Sequence, residues 1–321
     1  MHTFEALSRQ FEERFRTDHF PQQPQSLYDP NRYFLGLGGK RVRPVACLMG
    51  AELFDDIHPD AWQAATAIEL FHNFTLIHDD IMDKAPLRRG MATVHEQWGE
   101  STALLAGDVM LVTAYDYINK IGTSNLKRII QLFNKTAKEV CEGQQLDMDF
   151  EKEPVVPFDA YLNMINLKTS VLLAAALQMG ALLGGASERN QHLLYEFGRK
   201  LGLAFQVQDD YLDAFGDPQK FGKQVGGDIL ANKKTFLLIH ALEVAGKDDK
   251  ASLNNLLQSN TPDKVEKVVA IFKRTGVGEW AQRLKEGFLN EALQHLEDVA
   301  VLSKRKEPLK NLAQFLIQRQ S

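Results

Sequence analysis

Apolar residues recur at three- and four-residue intervals along most of this chain, the spacing that gathers them on one face of an α-helix. Phe4, Leu7, Phe11 and Phe15 set that register over residues 4–15, and Pro21 and Pro24 end it. Residues 28–37 form a second short segment, stopped by Gly38 and Gly39. Apolar runs then predict helices over 45–53, with Pro44 in its first turn, and over 61–83, 101–121, 126–150, 158–183 and 188–215. From 251 to 320 the pattern predicts shorter amphipathic helices divided by Pro262, Gly276 and Pro308. Long alternating β-branched runs, the mark of strands, are almost absent. The expectation is an all-α fold: one large helical bundle over residues 1–321, with its site in a cleft between core helices.

Two of these helices end in acid. The apolar run 61–83 holds no Pro or Gly and closes on Asp79, Asp80 and Asp83. On a helix Asp79 and Asp83 share a face, about 6 Å apart along the axis. Like charges at that spacing destabilise a helix, and burying them costs far more. A bound cation relieves both penalties, and carboxylates without a His/Cys cluster suit a hard ion such as magnesium, often shared with substrate phosphates. One such motif alone is best read as a solvated helix face. The chain repeats it at Asp209, Asp210 and Asp213, again at the end of an apolar helical run. If the two ends face each other, they make two walls of one acidic cleft.

Composition narrows the class little further. With 321 residues, 44% hydrophobic and 25% charged, the chain can bury a sizeable core. A net charge of −5 gives no reason to expect nucleic-acid binding. No apolar stretch is expected to span a membrane, and residues 1–16 are charged throughout, unlike a signal peptide. Cys47 and Cys141 sit in apolar segments and are expected to be buried free thiols, pointing to a reducing cytoplasm.

Basic residues stand near both motifs. Lys40, Arg41 and Arg43 precede the helix that starts around Pro44, where backbone N–H groups favour an anion; a solvated loop is an equally good reading of them alone. Arg88 and Arg89 follow the first acidic motif, and guanidinium groups suit bidentate phosphate contacts. Lys168 lies in an apolar helix, where it either snorkels to the surface or points into a polar cavity. Lys223 lies within a Gly-rich stretch, residues 216–228, placed where a mobile lid would be expected, and Lys233 follows it. His72 would ordinarily be a satisfied core histidine. It steps by three, four and four through Thr75 and Asp79 to Asp83, so it shares the acidic face; His78 reads as structural. Acid, base and apolar depth together suit a metal-bound diphosphate with a greasy tail.

In this order the motifs Gly38-Gly39-Lys40-Arg41-Val42-Arg43-Pro44, His78-Asp79-Asp80-Ile81-Met82-Asp83 with Arg88-Arg89-Gly90, Gly143-Gln144-Gln145-Leu146-Asp147, Lys168-Thr169, and Phe205 to Asp213 resemble the trans-isoprenyl diphosphate synthases, the polyprenyl synthetase family. The resemblance is strong from about residue 38 to 235 and weak elsewhere. It implies the isoprenoid synthase fold, several magnesium ions, and a homodimer. It also implies condensation of isopentenyl diphosphate with an allylic diphosphate. By motif, it assigns isopentenyl diphosphate to Lys40, Arg43, His72 and Arg89. Metal goes to Asp79 and Asp83, with Asp80 supporting, and to Asp209, with Asp210 and Asp213 supporting or ligating through water. The allylic diphosphate goes to Arg88, Lys168, Lys223 and Lys233. Thr169 and Gln206 would stabilise positive charge on the allyl fragment, and Gln144 and Asp147 would support from behind.

In that family a bulky residue five before the first aspartate is a floor under the growing tail, and a second aromatic beside it shortens the product. Here those positions are Phe74 and Thr75, a single floor, and the motif lacks the two-residue insertion of bacterial farnesyl synthases. The pattern resembles archaeal geranylgeranyl synthases, implying mainly a C20 product with C15 the alternative. A terpene cyclase or head-to-head enzyme would replace the second acidic motif. A non-catalytic regulatory subunit would lose carboxylates from one motif. A di-iron bundle needs Glu-x-x-His pairs, which neither motif supplies.

Overall fold

The computed structural model describes residues 1–16, 18–216, 226–259 and 261–318. The first helix begins where the register predicts: Thr3 Oγ1 accepts the Ala6 N–H, and α1 (Phe4–Phe15) buries Leu7, Phe11 and Phe15. There follow α2 (Gln25–Gly36), α3 (Val42–Glu52) and α4 (Pro59–Met82). A two-stranded hairpin, β1 (Leu87–Arg88) and β2 (Met91–Ala92), leads to α5 (Val94–Trp98), α6 (Glu100–Ile118) and α7 (Thr123–Lys152). Next come α8 (Phe158–Ile165), a π-helical turn (Asn166–Ser170), α9 (Val171–Leu183) and α10 (Glu188–Phe215). After the undescribed stretch lie α11 (Gly227–Leu230), α12 (Phe236–Val244), α13 (Lys247–Leu257), α14 (Lys264–Arg274), α15 (Val277–Glu297) and α16 (Ser303–Gln318). The all-α expectation holds.

The chain groups into two compact units. The first comprises Met1–Asn134, Ala175–His192 and Val301–Pro308. Its axis is α4, which packs on α3 and α6. Ala61, Ala64, Ile68, Leu70, Phe71, Phe74 and Ile77 are buried around α4, leaving His72, Thr75, Asp79 and Asp83 as its open stripe. The second unit comprises Lys135–Ala174, Leu193–Ala300 and Leu309–Ser321. Its core gathers Tyr161, Met164 and Ile165 of α8, Leu203 and Val207 of α10, Phe236 to Ile239 of α12, and Ile271 and Phe272 of α14.

Four features differ from the pattern-based expectation. The segment 158–183 is not one uniform α-helix, because the π turn interrupts it at Asn166–Ser170. That same segment has the length and composition to cross a membrane, against expectation; 72% of its apolar window is buried, as in the core helix of a folded protein. Pro308 sits inside α16 rather than at a break. It removes one backbone donor, and the apolar face of Leu309, Leu312, Ala313 and Leu316 keeps the helix packed. Cys47 is buried as expected, but Cys141 is exposed; both are free.

Candidate active site

In the first unit, the basic run before α3 divides by role. Arg41 is buried and committed to structure: its Nε donates to Glu12 Oε2 at 2.9 Å and its Nη1 to Glu69 Oε1 at 2.5 Å. Lys40 is exposed and Arg43 half-buried. Arg43 Nη1 donates to His72 Nε2 at 3.1 Å. A guanidinium only donates, so that ring nitrogen accepts, which requires an imidazole without a proton there. Burial, then Arg43, Arg89 and Arg88, hold His72 well below its ordinary pKa. His72 is therefore a neutral acceptor that fixes an arginine, not a cation.

Arg89 reaches the same neighbourhood from the hairpin. Arg89 (φ 54°) and Gly90 (φ 77°) are the two central residues of its loop, both left-handed, as a type I′ turn demands. Gly90 takes that conformation freely, whereas Arg89 is strained, a state that persists at functional sites when its surroundings enforce it. Its guanidinium lies against Gly39: a Cβ there would be 3.1 Å from Arg89 Nη2. Lys40, Arg43, His72 and Arg89 are thus drawn from the chain before α3, from α3, from α4 and from the hairpin.

At the end of α4 the three aspartates diverge. Asp79 is half-buried and Asp83, which ends the helix, is exposed. Asp80 is 1% exposed, and Arg88 grips it: Nε lies 2.8 Å from each carboxylate oxygen and Nη2 2.7 Å from Oδ1. Burial raises the Asp80 pKa, and Arg88 opposes that rise. The same Nη2 is 3.8 Å from Asp79 Oδ2. Phe74 packs between Phe71 (5.6 Å between centroids) and His78 (4.7 Å). Phe133 stands behind Phe71 at 5.2 Å. His78 Nε2 lies 3.1 Å from Leu104 O on α6, which fits the structural role expected of it. Thr75 Oγ1 donates back to His72 O.

The second unit holds the other set. Lys168 and Thr169 lie in the π turn, a distortion that recurs at functional sites. Gly143 of α7 lets it form: an added Cβ would meet Lys168 N at 2.3 Å and Leu167 C at 2.7 Å. Lys168 Nζ donates to Asp147 Oδ2 at 2.6 Å. Thr169 Oγ1 donates to Gln206 Oε1 at 3.3 Å, and Gln206 Nε2 donates to Asp210 Oδ1 at 2.8 Å. Tyr161 OH donates to the other oxygen, Asp210 Oδ2, at 2.7 Å. Gln144 Nε2, Asn166 Oδ1 and Ser170 Oγ are buried without a hydrogen-bond partner among the described residues.

The second acidic motif repeats the pattern of the first. Asp209 and Asp213 are half-buried, while Asp210 is buried. Burial, then Asp228, pushes the Asp210 carboxyl up to about 8, against the hydrogen bonds from Gln206 and Tyr161. Asp213 is pushed up to about 6 by burial and Asp228, and its Oδ2 accepts the Asp228 N–H at 3.0 Å. Asp147, Tyr161, Lys168, Thr169, Gln206, Asp210, Asp228 and Lys233 line one cavity with Lys234 and Thr235. Lys223 lies outside the described residues, as does most of the Gly-rich stretch around it.

Sequence reasoning missed Tyr161, Asp228 and Lys234. Tyr161 precedes Lys168 by two helical turns, and that spacing was the available signal. Among the described residues no three His, Cys, Asp or Glu side chains stand together as a ready-made metal site. Each motif instead offers solvent-touching carboxylates, which fits magnesium held by one or two carboxylates and completed by phosphate oxygens and water.

The polyprenyl synthetase family model matches residues 24–274. The short chain isoprenyl diphosphate synthase of Methanothermobacter thermautotrophicus is 37% identical over 321 residues, covering 100% of this chain and 98% of that protein. The geranylgeranyl diphosphate synthase of Methanosarcina mazei is 38% identical, covering 93% of this chain and 91% of that protein. A crystal structure of a geranylgeranyl pyrophosphate synthase superposes with a TM-score of 0.95 at 43% identity, covering 100% of both chains. Members of this family use a divalent metal. With the motifs, the helical fold and these full-length likenesses in agreement, the chain belongs to the polyprenyl synthetase family and is a prenyltransferase.

Proposed function

We propose that this enzyme condenses isopentenyl diphosphate with an allylic diphosphate, yielding mainly the C20 product geranylgeranyl diphosphate. The observation that carries the product length is Phe74. It is buried five residues before Asp79, wedged between Phe71 and His78, with the hydroxyl residue Thr75 beside it rather than a second aromatic. A single ring in that place fits one floor under the tail. Farnesyl diphosphate, C15, is the second reading. The whole chain, 1–321, works as one catalytic domain on this reading, since the family match runs through both compact units.

Magnesium, when bound, supplies positive charge to the diphosphate as it departs from carbon. Asp79, Asp83, Asp209 and Asp213 would hold it, with Asp80 and Asp210 fixed behind them by Arg88 and by Tyr161 and Gln206. Lys40, Arg43 and Arg89 bind the isopentenyl diphosphate, with His72 as the neutral acceptor that orients Arg43. Lys168, Lys233, Arg88 and Lys223 serve the allylic diphosphate. As the allylic C1–O bond breaks, the oxygens of Thr169 and Gln206 face the positive charge left on carbon. The isopentenyl double bond attacks that carbon, and a proton leaves the isopentenyl unit for the departed diphosphate. Asp147 holds Lys168, and Phe150, Met164 and Ile165 supply the apolar part of the cavity lining.

The exposed apolar residues of α6, Leu104, Leu105 and Val112, support a homodimer through that face, and a cytoplasmic location suits two free thiols. Labelled isopentenyl diphosphate, each of three allylic primers and magnesium will test the activity by product chromatography. The expected result is a C20 product, with turnover lost in Asp79→Ala and in Asp209→Ala while the far-UV circular dichroism stays unchanged. Full turnover in either variant refutes the metal assignment.

A further inference from the structure

The turn that carries Lys233 is fixed from beneath by a buried lysine. Lys264, the first residue of α14, is 1% exposed, and its Nζ donates to Asn232 Oδ1 at 2.6 Å. Asn232 has φ 56°, a left-handed conformation that asparagine tolerates better than most residues. Its own N–H bonds Ile229 O at 3.2 Å, and the next N–H, of Lys233, bonds Asp228 O at 2.9 Å. Lys234 leads the other way. Its Nζ donates to Phe150 O at 2.7 Å and Glu151 O at 3.2 Å, carbonyls in the last turn of α7 that lack partners within the helix, and to Glu153 O just beyond it. Two amines therefore pin the turn, one on each side of Lys233. The Lys233 side chain, its Nζ 3.9 Å from Asp228 Oδ1, is 46% exposed and lines the cavity that holds Lys168, Thr169 and Gln206.

A buried amine is an expensive way to fill space. Desolvating it costs free energy that a methionine of similar length does not incur. What methionine cannot do is hold the side-chain oxygen of a residue in a left-handed turn. We propose that Lys264 is a positioning residue for the allylic diphosphate, acting through Asn232 to aim Lys233 into the cavity. The inference rests on the assignment of Lys233 to that diphosphate. It gives Lys264, far along the chain from every family motif, a place in substrate recognition.

The test compares Lys264→Met, which keeps the length and removes the donor, with Asn232→Gly, which keeps the positive φ and removes the acceptor. The double variant and Lys233→Ala complete the set. Lys264→Met is expected to resist urea at least as well as the parent, because a buried polar group is gone. Its KM for the allylic diphosphate should rise about tenfold, with the KM for isopentenyl diphosphate unchanged. Asn232→Gly should match it, and the double variant should be no worse than either single change. A packing role alone would lower the urea midpoint and leave both KM values in place. An unchanged allylic KM in Lys264→Met, beside a raised one in Lys233→Ala, overturns the positioning role and spares the assignment of Lys233. An unchanged allylic KM in Lys233→Ala overturns that assignment and this inference with it. Should Lys264→Met fail to fold, Asn232→Gly decides by the same two constants.

Discussion

Gly143 is the position where helix packing and chemistry meet most directly. In Gly143→Ala the new Cβ would stand 2.3 Å from Lys168 N and 2.7 Å from Leu167 C and Lys168 Cα. All three are backbone atoms, so no side chain can swing aside. An ordinary contact is near 3.4 Å, so the π turn must retreat by about 1 Å, carrying Lys168 and Thr169 with it. Overpacking of this kind costs about 1–3 kcal/mol, and the contact here belongs at the upper end. Replacing a glycine inside a helix with alanine returns about 0.5–1 kcal/mol, leaving a net loss of about 2 kcal/mol. A misplacement of about 1 Å in a positioning element can lower turnover about 10²-fold. Urea unfolding and steady-state kinetics read the two effects separately. Gly287→Ala in α15 is the control, since a Cβ there meets nothing within 4 Å and should stabilise by about 0.5–1 kcal/mol. If Gly143→Ala gains stability like the control and keeps its kcat, the close approach has no energetic meaning and the argument is wrong.

Phe74→Ala should lengthen the product, read by reversed-phase chromatography of the dephosphorylated alcohols; an unchanged distribution removes Phe74 as the floor. Arg88→Ala leaves the buried Asp80 without its guanidinium and should cost about 2–3 kcal/mol in urea unfolding. Pairing it with Asp80→Asn should recover part of that loss. The folded metal-free chain keeps the Asp210 proton to about pH 8, whereas an unfolded aspartate loses it near 3.8. The folded state thus binds more protons in that window, and stability should fall as pH rises through it. His72 works oppositely, since its lowered pKa makes stability fall as pH drops below 6.5. Urea midpoints of Asp210→Asn in EDTA should therefore lose the alkaline decline and keep the acidic one.

The helices and the acidic motifs were legible because both are periodic. Burial at 71, 74 and 77, partial exposure at 72, 75 and 79 and full exposure at 83 follow directly from a 3.6-residue repeat. What periodicity cannot carry is a partner far away in the chain. Nothing near Asp80 or Asp210 announces which carboxylate of each motif turns inward; Arg88 reaches one and Tyr161 the other through tertiary packing. The π turn was hidden for a related reason. It inserts no breaker residue of its own, and the glycine that permits it sits on another helix. Pro308 misled because a break in the backbone ladder was weighed without the apolar face beyond it.

The inward turn of Asp80 and Asp210 also divides labour in time. Each is neutralised or hydrogen-bonded as the chain folds, so the penalty for drying one acid in every trio falls on folding alone. Their neighbours Asp79, Asp83, Asp209 and Asp213 still touch water at rest. Such oxygens can take up a divalent ion and give it back cheaply, which suits a catalyst that must discharge a diphosphate after every cycle.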